Sequence, residues 1–388
     1  MLKCRKEVII VKNKIKKVNK IPFAFVAMCL GIGMLCGIVM GAAFDGFMEG
    51  NNLLLVIGAE LALFLVAYYL HLIIHEAGHF VAGLISGYGF SSFRVGSIMF
   101  IKENGQIKIK KHSVAGTAGQ CLMVPPKMVD GKFPVIFYNL GGALLNLLFA
   151  VIFVLLANIF DRSSLGYAFS VLMALAGLIT AITNGIPLKL GMINNDGSNA
   201  RELYKNEEAM RVFHNQFMTV AALGDGKRLC DMPEDWFFMP SEAGLKNSII
   251  VSGAVFRVNW LVDAGRREEA LELINHLLVA DSALIGLHRC LLTCDKITIL
   301  LLQGGADEHV RNLLSDKQLD VFFKQMKNNI SVVRAQYAVA LLLDNDENKA
   351  KILREHFEKC ANTHPYASEI HAEREMIDLI DRKFEENE

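Results

Sequence analysis

In the segment HLIIHEAGHF, residues 71–80, His75 and His79 lie four positions apart with Glu76 beside the first. Four residues of α-helix advance about 400°, so the two imidazoles stand one turn apart on one face and can grip a single ion. This is the H-E-x-x-H pattern, in which two neutral imidazoles bind zinc and the glutamate takes a proton from the attacking water. The flanking residues are apolar enough to lie in a membrane, where ionisable side chains are rare and tied to function. A zinc site with Glu76 as its base is therefore expected; the plain alternative is a polar contact between helices. His71 sits one turn earlier on the same face, as an extra ligand, a partner behind a ligand, or a histidine turned into the bundle interior.

A catalytic zinc needs a third protein ligand and an open position, and the elements that carry the motif restrict the choice. Of 388 residues, 53% are hydrophobic and 21% charged, and the mean hydropathy is +0.34, too apolar for an ordinary soluble domain. Four stretches, roughly 21–44, 53–83, 134–159 and 166–188, reach the ~20 helical residues a bilayer core requires. The first reads as an uncleaved anchor rather than a signal peptide ending near Ala42 and Ala43, because a basic leader and a long apolar run suit an anchor.

Net charge is zero, yet it is unevenly spread. Residues 1–20 hold eight basic side chains against Glu7 alone, and residues 198–388 hold 23 basic and 31 acidic. Basic residues stay on the cytoplasmic side. Those at the N-terminus and the seven in 89–132 (Arg94, Lys102, Lys108, Lys110, Lys111, Lys127 and Lys132) place both regions inside. The loops around Asp45 and Asp161 are then outside, and both termini are cytoplasmic. The expected location is the cell membrane, with several passes.

In that orientation Asp45, Glu49, Glu60 and Asp161 fall outside or in the outer half, Glu103 on a hairpin turn and Asp130 in a loop. Asp196, in NGIPLKLGMINNDGSNA, follows the fourth span on the inner side and is the expected third ligand. Asp225-Gly226 repeats the dipeptide far from every span.

These residues resemble the site-2 protease family of intramembrane zinc metalloproteases, bacterial peptide-processing type. The family pairs H-E-x-x-H on one span with N-x-x-P and a later D-G, and carries Gly and Asn on the span between. Here those are His75, Glu76 and His79; Gly141, Gly142 and Asn146; and Asn184, Pro187, Asp196 and Gly197. The resemblance covers roughly residues 53–200. It implies His75, His79 and Asp196 as zinc ligands, Glu76 as base and then acid, and Asn184 as holder of the scissile carbonyl, with Asn146 beside substrate or behind a ligand. For both asparagines, interhelical hydrogen bonding is the alternative. Eight residues separate Pro187 from Asp196, about twice the family's spacing, so the chain must fold back to bring the carboxylate to the metal.

The remaining segments support the spans. SIMFIKENGQIKIKK alternates apolar and polar residues about Asn104-Gly105 and reads as two strands joined by a type I′ turn. GTAGQCLMVPP reads as loop or re-entrant backbone. After about residue 200 the pattern is amphipathic helix. NWLVDAGRREEALELINHLL gives a helix ending near Asp263, a break at Gly265 and a second helix presenting Leu271, Leu273 and Ile274. Further helices are expected at 283–302, 330–344 and 347–361, a tetratricopeptide-like array without a clean repeat.

Eight cysteines without C-x-x-C spacing exclude a disulfide scaffold and suit a reducing compartment. Cys290 and Cys294 share a helix face near His288, a weak metal pair that buried packing explains better.

The expected fold is mainly α. It comprises a basic cytoplasmic segment (1–20), a membrane metalloprotease domain of about four spans (21–200) with a small membrane-associated β-hairpin region (89–132), and a cytoplasmic all-helical domain (201–388). The expected function is zinc-dependent hydrolysis of membrane-embedded or membrane-associated peptides near the cytoplasmic leaflet. Its partners are such a peptide, the lipid bilayer and a cytosolic protein at the helical tail, with no nucleic acid. The alternative is a noncatalytic zinc- or peptide-binding membrane factor that recruits a cytosolic partner. Glu76 favours the enzyme, since a binding site needs ligands and no base.

Overall fold

The computed structural model describes residues 31, 33–34, 37–42, 44–45, 52–113, 117–190 and 193–387. The basic segment 1–20 and most of the first expected span lie outside the described residues, although residues 37–42 are helical. The chain divides into two compact units, one of residues 1–83 and 135–201, the other of 84–134 and 202–388.

The first unit is built on three helices long and apolar enough to cross a membrane: α1 (Leu53–Ile85), α2 (Ile136–Ala157) and α3 (Leu165–Gly185). α1 has 33 residues and at 1.5 Å per residue runs roughly 50 Å, more than a ~30 Å hydrocarbon core. Ser164 opens α3 by accepting the Tyr167 amide, and Ile186 and Pro187 end it, since the residue before a proline leaves the α region.

α1 and α2 approach at glycines. A Cβ on Gly78 would lie 2.3 Å from the Gly141 carbonyl oxygen, and one on Gly141 2.5 Å from the Ala82 side chain. With no driving force from water inside lipid, such small-residue contacts let helix backbones pack directly.

Beyond Pro187 the chain forms a two-stranded antiparallel ribbon, β5 (Lys189–Leu190) and β6 (Ile193–Asn194), and then α4 (Asp196–Lys205). The added residues between Pro187 and Asp196 thus make a turn-back that returns the chain to the end of α3.

In the second unit, β1 (Gly89–Val95), β2 (Ile98–Glu103), β3 (Gln106–Lys111) and β4 (Gly119–Val124) form an antiparallel sheet in the order β3-β2-β1-β4. The expected hairpin is there: Glu103 pairs with Gln106, and Asn104 and Gly105 have φ of 48° and 79°, as a type I′ turn requires. Two points correct the sequence reading. GTAGQCLMVPP is not loop or re-entrant backbone, because residues 119–124 pair with β1 and alternate buried Cys121 and Met123 with more open neighbours. β1 was unforeseen; its buried Ser91 and Ser92, with a register shift between Phe90 and Ser92, mask the apolar alternation. Segment 89–132 falls in the second unit, where Lys110 donates to the Pro365 carbonyl and the His214 ring meets the Pro126 carbonyl oxygen.

The rest of this unit is helical: α5 (Glu207–Gly224), α6 (Ser248–Asp263), α7 (Arg267–Val279), α8 (Gly286–Gln303), α9 (Asp307–Leu314), α10 (Lys317–Gln325), α11 (Ile330–Ala338), α12 (Glu347–Ala361) and α13 (Ala367–Asn387). α11 continues into a π turn over Val339–Leu343. The break at Gly265 is present, at φ 72°, and Ala270, Ile274 and Leu277 form the buried stripe of α7. Cys294 is fully buried in the core and Cys290 packs against it, the packing alternative for that pair.

Candidate metal centre

α1 carries His71, His75, Glu76 and His79 on buried positions. Nε2 of His75 and Nε2 of His79 are 3.1 Å apart, and the rings are nearly perpendicular at 86°, so both nitrogens point to one place. Asp196, the first residue of α4, brings Oδ2 to 3.0 Å from the first nitrogen and 3.4 Å from the second. Donors held ~2.0–2.2 Å from a tetrahedral zinc lie roughly 3.4 Å from each other, so the three edges of this triangle suit one such ion. Among the described residues this is the one group of His, Cys, Asp and Glu with that convergence. Two imidazoles and a carboxylate are a donor set that zinc accepts.

Each ligand is held from behind. Nδ1 of His79 lies 2.8 Å from the Tyr138 carbonyl oxygen, an acceptor only, so Nδ1 carries the proton and Nε2 offers its lone pair. Nδ1 of His75 lies 3.1 Å from the Asn146 side-chain amide, whose other atom lies 3.1 Å from Nδ1 of His71. Asn146 and His71 are both fully buried. Gly142 makes the geometry possible, since a Cβ there would meet the His75 ring at 2.5 Å. Gly177 does the same for His71, again at 2.5 Å.

Asp196 is placed by its neighbour. Oδ1 of Asn195 accepts the amides of Leu188 and Ser198, and its Nδ2 donates to the carbonyls of Thr183 and Ile186. One side chain thereby caps α4 and closes the end of α3. Gly197 permits the approach, because a Cβ would stand 2.2 Å from the Gly185 carbonyl oxygen.

Of the residues named from sequence, His75, His79 and Asp196 converge. Glu76 is buried beside them, within electrostatic reach of the His79 ring. Asn146 stands behind His75, and His71 behind Asn146. The Asn184 amide nitrogen donates to the Thr180 carbonyl of its own helix. Sequence reasoning missed Asn195, although an Asn ahead of a polar helix start is a capping signal. Comparison with protein-family models, with curated proteins and with solved structures found no match.

Proposed function

We propose that the chain is an intramembrane zinc metalloprotease that hydrolyses peptide bonds of membrane-embedded or membrane-associated peptides near the cytoplasmic leaflet. The observation that carries this reading is the convergence of Asp196 with His75 and His79, which stand on a membrane-length helix that also carries Glu76.

His75, His79 and Asp196 would hold the metal. When bound, zinc supplies Lewis acidity that polarises a carbonyl and lowers the pKa of water. Glu76 takes the proton of the attacking water and returns it to the leaving amine. The Tyr138 carbonyl keeps the His79 ring in the required tautomer. Asn184, engaged with Thr180, is given no part in the step. The apolar helices limit water at the site and favour a substrate that is itself in the membrane. Such a substrate hides its carbonyls in helical hydrogen bonds and must unwind before cleavage, and the free edge of β3 is a surface on which an unwound strand can pair.

The test separates metal from proton handling. Glu76→Gln is expected to keep about one zinc per chain and to lose roughly 10²–10⁴-fold in cleavage, read as membrane peptides that accumulate in the native host. His79→Ala and Asp196→Ala are expected to lose zinc and cleavage together. Normal zinc and cleavage in Asp196→Ala would overturn the ligand set.

A further inference from the structure

The helical part of the second unit encloses a cavity of about 270 Å³, walled by α5, α6, α8, α11 and α13. Its walls mix apolar side chains such as Val255, Leu292, Ile330 and Met376 with five carboxylates and three guanidinium groups. Two of the arginines are committed. Arg334 pairs with Asp295 and Glu373, and Arg228 with Asp263 and Glu375.

Glu369 is the carboxylate left over. It stands one turn before Glu373 on α13, a like-charge i,i+4 pair that disfavours two charges unless cations are near. Arg334 and the Ser331 hydroxyl answer Glu373. Among the described residues the ion-pair partner of the half-buried Glu369 is the His364 ring, at 3.4 Å. That ring is neutral at pH 7, since burial pushes its pKa down to about 4. Burial, Glu373 and Asp263 push Glu369 up to about 7. No guanidinium or ammonium pairs with Glu369 among the described residues.

A second observation is independent of the charges. The Ser368 hydroxyl lines the cavity, is 6% exposed, and has no hydrogen-bond partner. Buried hydroxyls are ordinarily satisfied, so an unmet one facing a cavity signals a polar guest. Asn259 adds an exposed amide one turn before Asp263. Arg267 lines the same space and is spared from ion pairing among the described residues.

We infer that this cavity binds an organic ammonium ion with an apolar body, such as the N-terminal residue or a lysine side chain of a peptide. The ammonium sits at Glu369 and the Ser368 hydroxyl, and the aliphatic part lies against Val255, Leu292 and Met376. Ligand pockets commonly span ~300–1,000 Å³, so this one admits a group the size of a single residue and leaves the remainder of a peptide outside. The inference stands apart from the zinc site and does not depend on proteolysis.

Calorimetric titration of the full chain in detergent micelles tests it with three probes. Leucinamide carries an α-ammonium, N-acetyl-lysinamide only a side-chain ammonium, and N-acetyl-leucinamide neither. At least one ammonium probe is expected to bind saturably, and which one does so distinguishes a peptide terminus from a lysine. N-acetyl-leucinamide is expected to bind at least about tenfold more weakly, as befits loss of a charge-assisted hydrogen bond. Glu369→Gln is expected to weaken the ammonium probe by a similar factor. The probe comparison on the unaltered chain decides even if that variant fails to fold. Binding of N-acetyl-leucinamide as tight as that of the better ammonium probe, or no saturable binding by either ammonium, would overturn the inference.

Discussion

Asn146 hydrogen-bonds two histidines at once, and its orientation decides whether His75 can serve a metal. Nδ2 of Asn146 faces Nδ1 of His75 and its Oδ1 faces Nδ1 of His71; for Nε2 of His75 to offer a lone pair, the ring proton must sit on Nδ1 and this amide must turn over to present its oxygen. The amide nitrogen then donates to Nδ1 of His71, which must be unprotonated. Removing this support is expected to cost 10–100-fold in zinc affinity, so Asn146→Ala should show that loss in a competitive chelator titration. Asn146→Asp keeps an acceptor toward His75 and should bind zinc more tightly than Asn146→Ala. Equal affinity in the two variants would assign Asn146 to helix packing alone. The pairing of the two histidines was legible in the sequence because the i,i+4 spacing of His75 and His79 is a property of the helix itself. The role of Asn146 was not, since it depends on how α2 crosses α1 at Gly78, Gly141 and Gly142.

Among the elements, the turn-back between α3 and α4 is the part the sequence left open. Its spacing could be counted, but a two-residue ribbon is too short to carry a periodic signal, and the side chain that fixes it is a single asparagine. Asn195 makes four hydrogen bonds to backbone groups at the two helix ends. Losing the cap costs about 1 kcal/mol and each further bond about 1. Asn195→Ala is therefore expected to destabilise the fold by about 2–4 kcal/mol and to weaken zinc binding, with Asp196 released from its position. Asn195→Asp retains both acceptor bonds and should fall between Asn195→Ala and the parent in a denaturation series. The sheet was half legible for a related reason. Asn104-Gly105 announces the β2–β3 turn locally, whereas β1 and β4 are joined through pairing distant in sequence.

The hairpin register also sharpens a test of the β3 edge. Glu103 and Gln106 flank a two-residue turn and exchange both hydrogen bonds, and bonded pairs then alternate along the ladder. Lys108, opposite Ile101, therefore turns its amide toward β2, and Ile109, opposite Phe100, turns its amide to the open edge. Lys108→Pro should break the hairpin itself. Ile109→Pro should keep fold and zinc while reducing cleavage at least about tenfold, if an unwound substrate pairs there. Full cleavage by Ile109→Pro at normal expression would make the hairpin a brace.

At the scale of the whole molecule, what the sequence shows best is the segregation of charge and apolar length. Among the described residues three helices are long and apolar enough to cross a membrane, and five cysteines are free. The orientation we propose rests on the lysines and arginines in 89–132 and their scarcity in the loop of Asp161 and Arg162. Ser163 is exposed in that loop and gives a direct reporter. In a background with the native cysteines replaced, Ser163→Cys is expected to react with an impermeant maleimide added to intact cells. A cysteine at Glu385, exposed near the end of α13, should react only after the membrane is permeabilised. His75 lies ten residues before the end of α1, about 15 Å along the axis, so this orientation sets the metal group toward the cytoplasmic half of the span. Labelling of residue 385 from outside, with residue 163 protected, would invert the topology and move the proposed cleavage to the opposite leaflet.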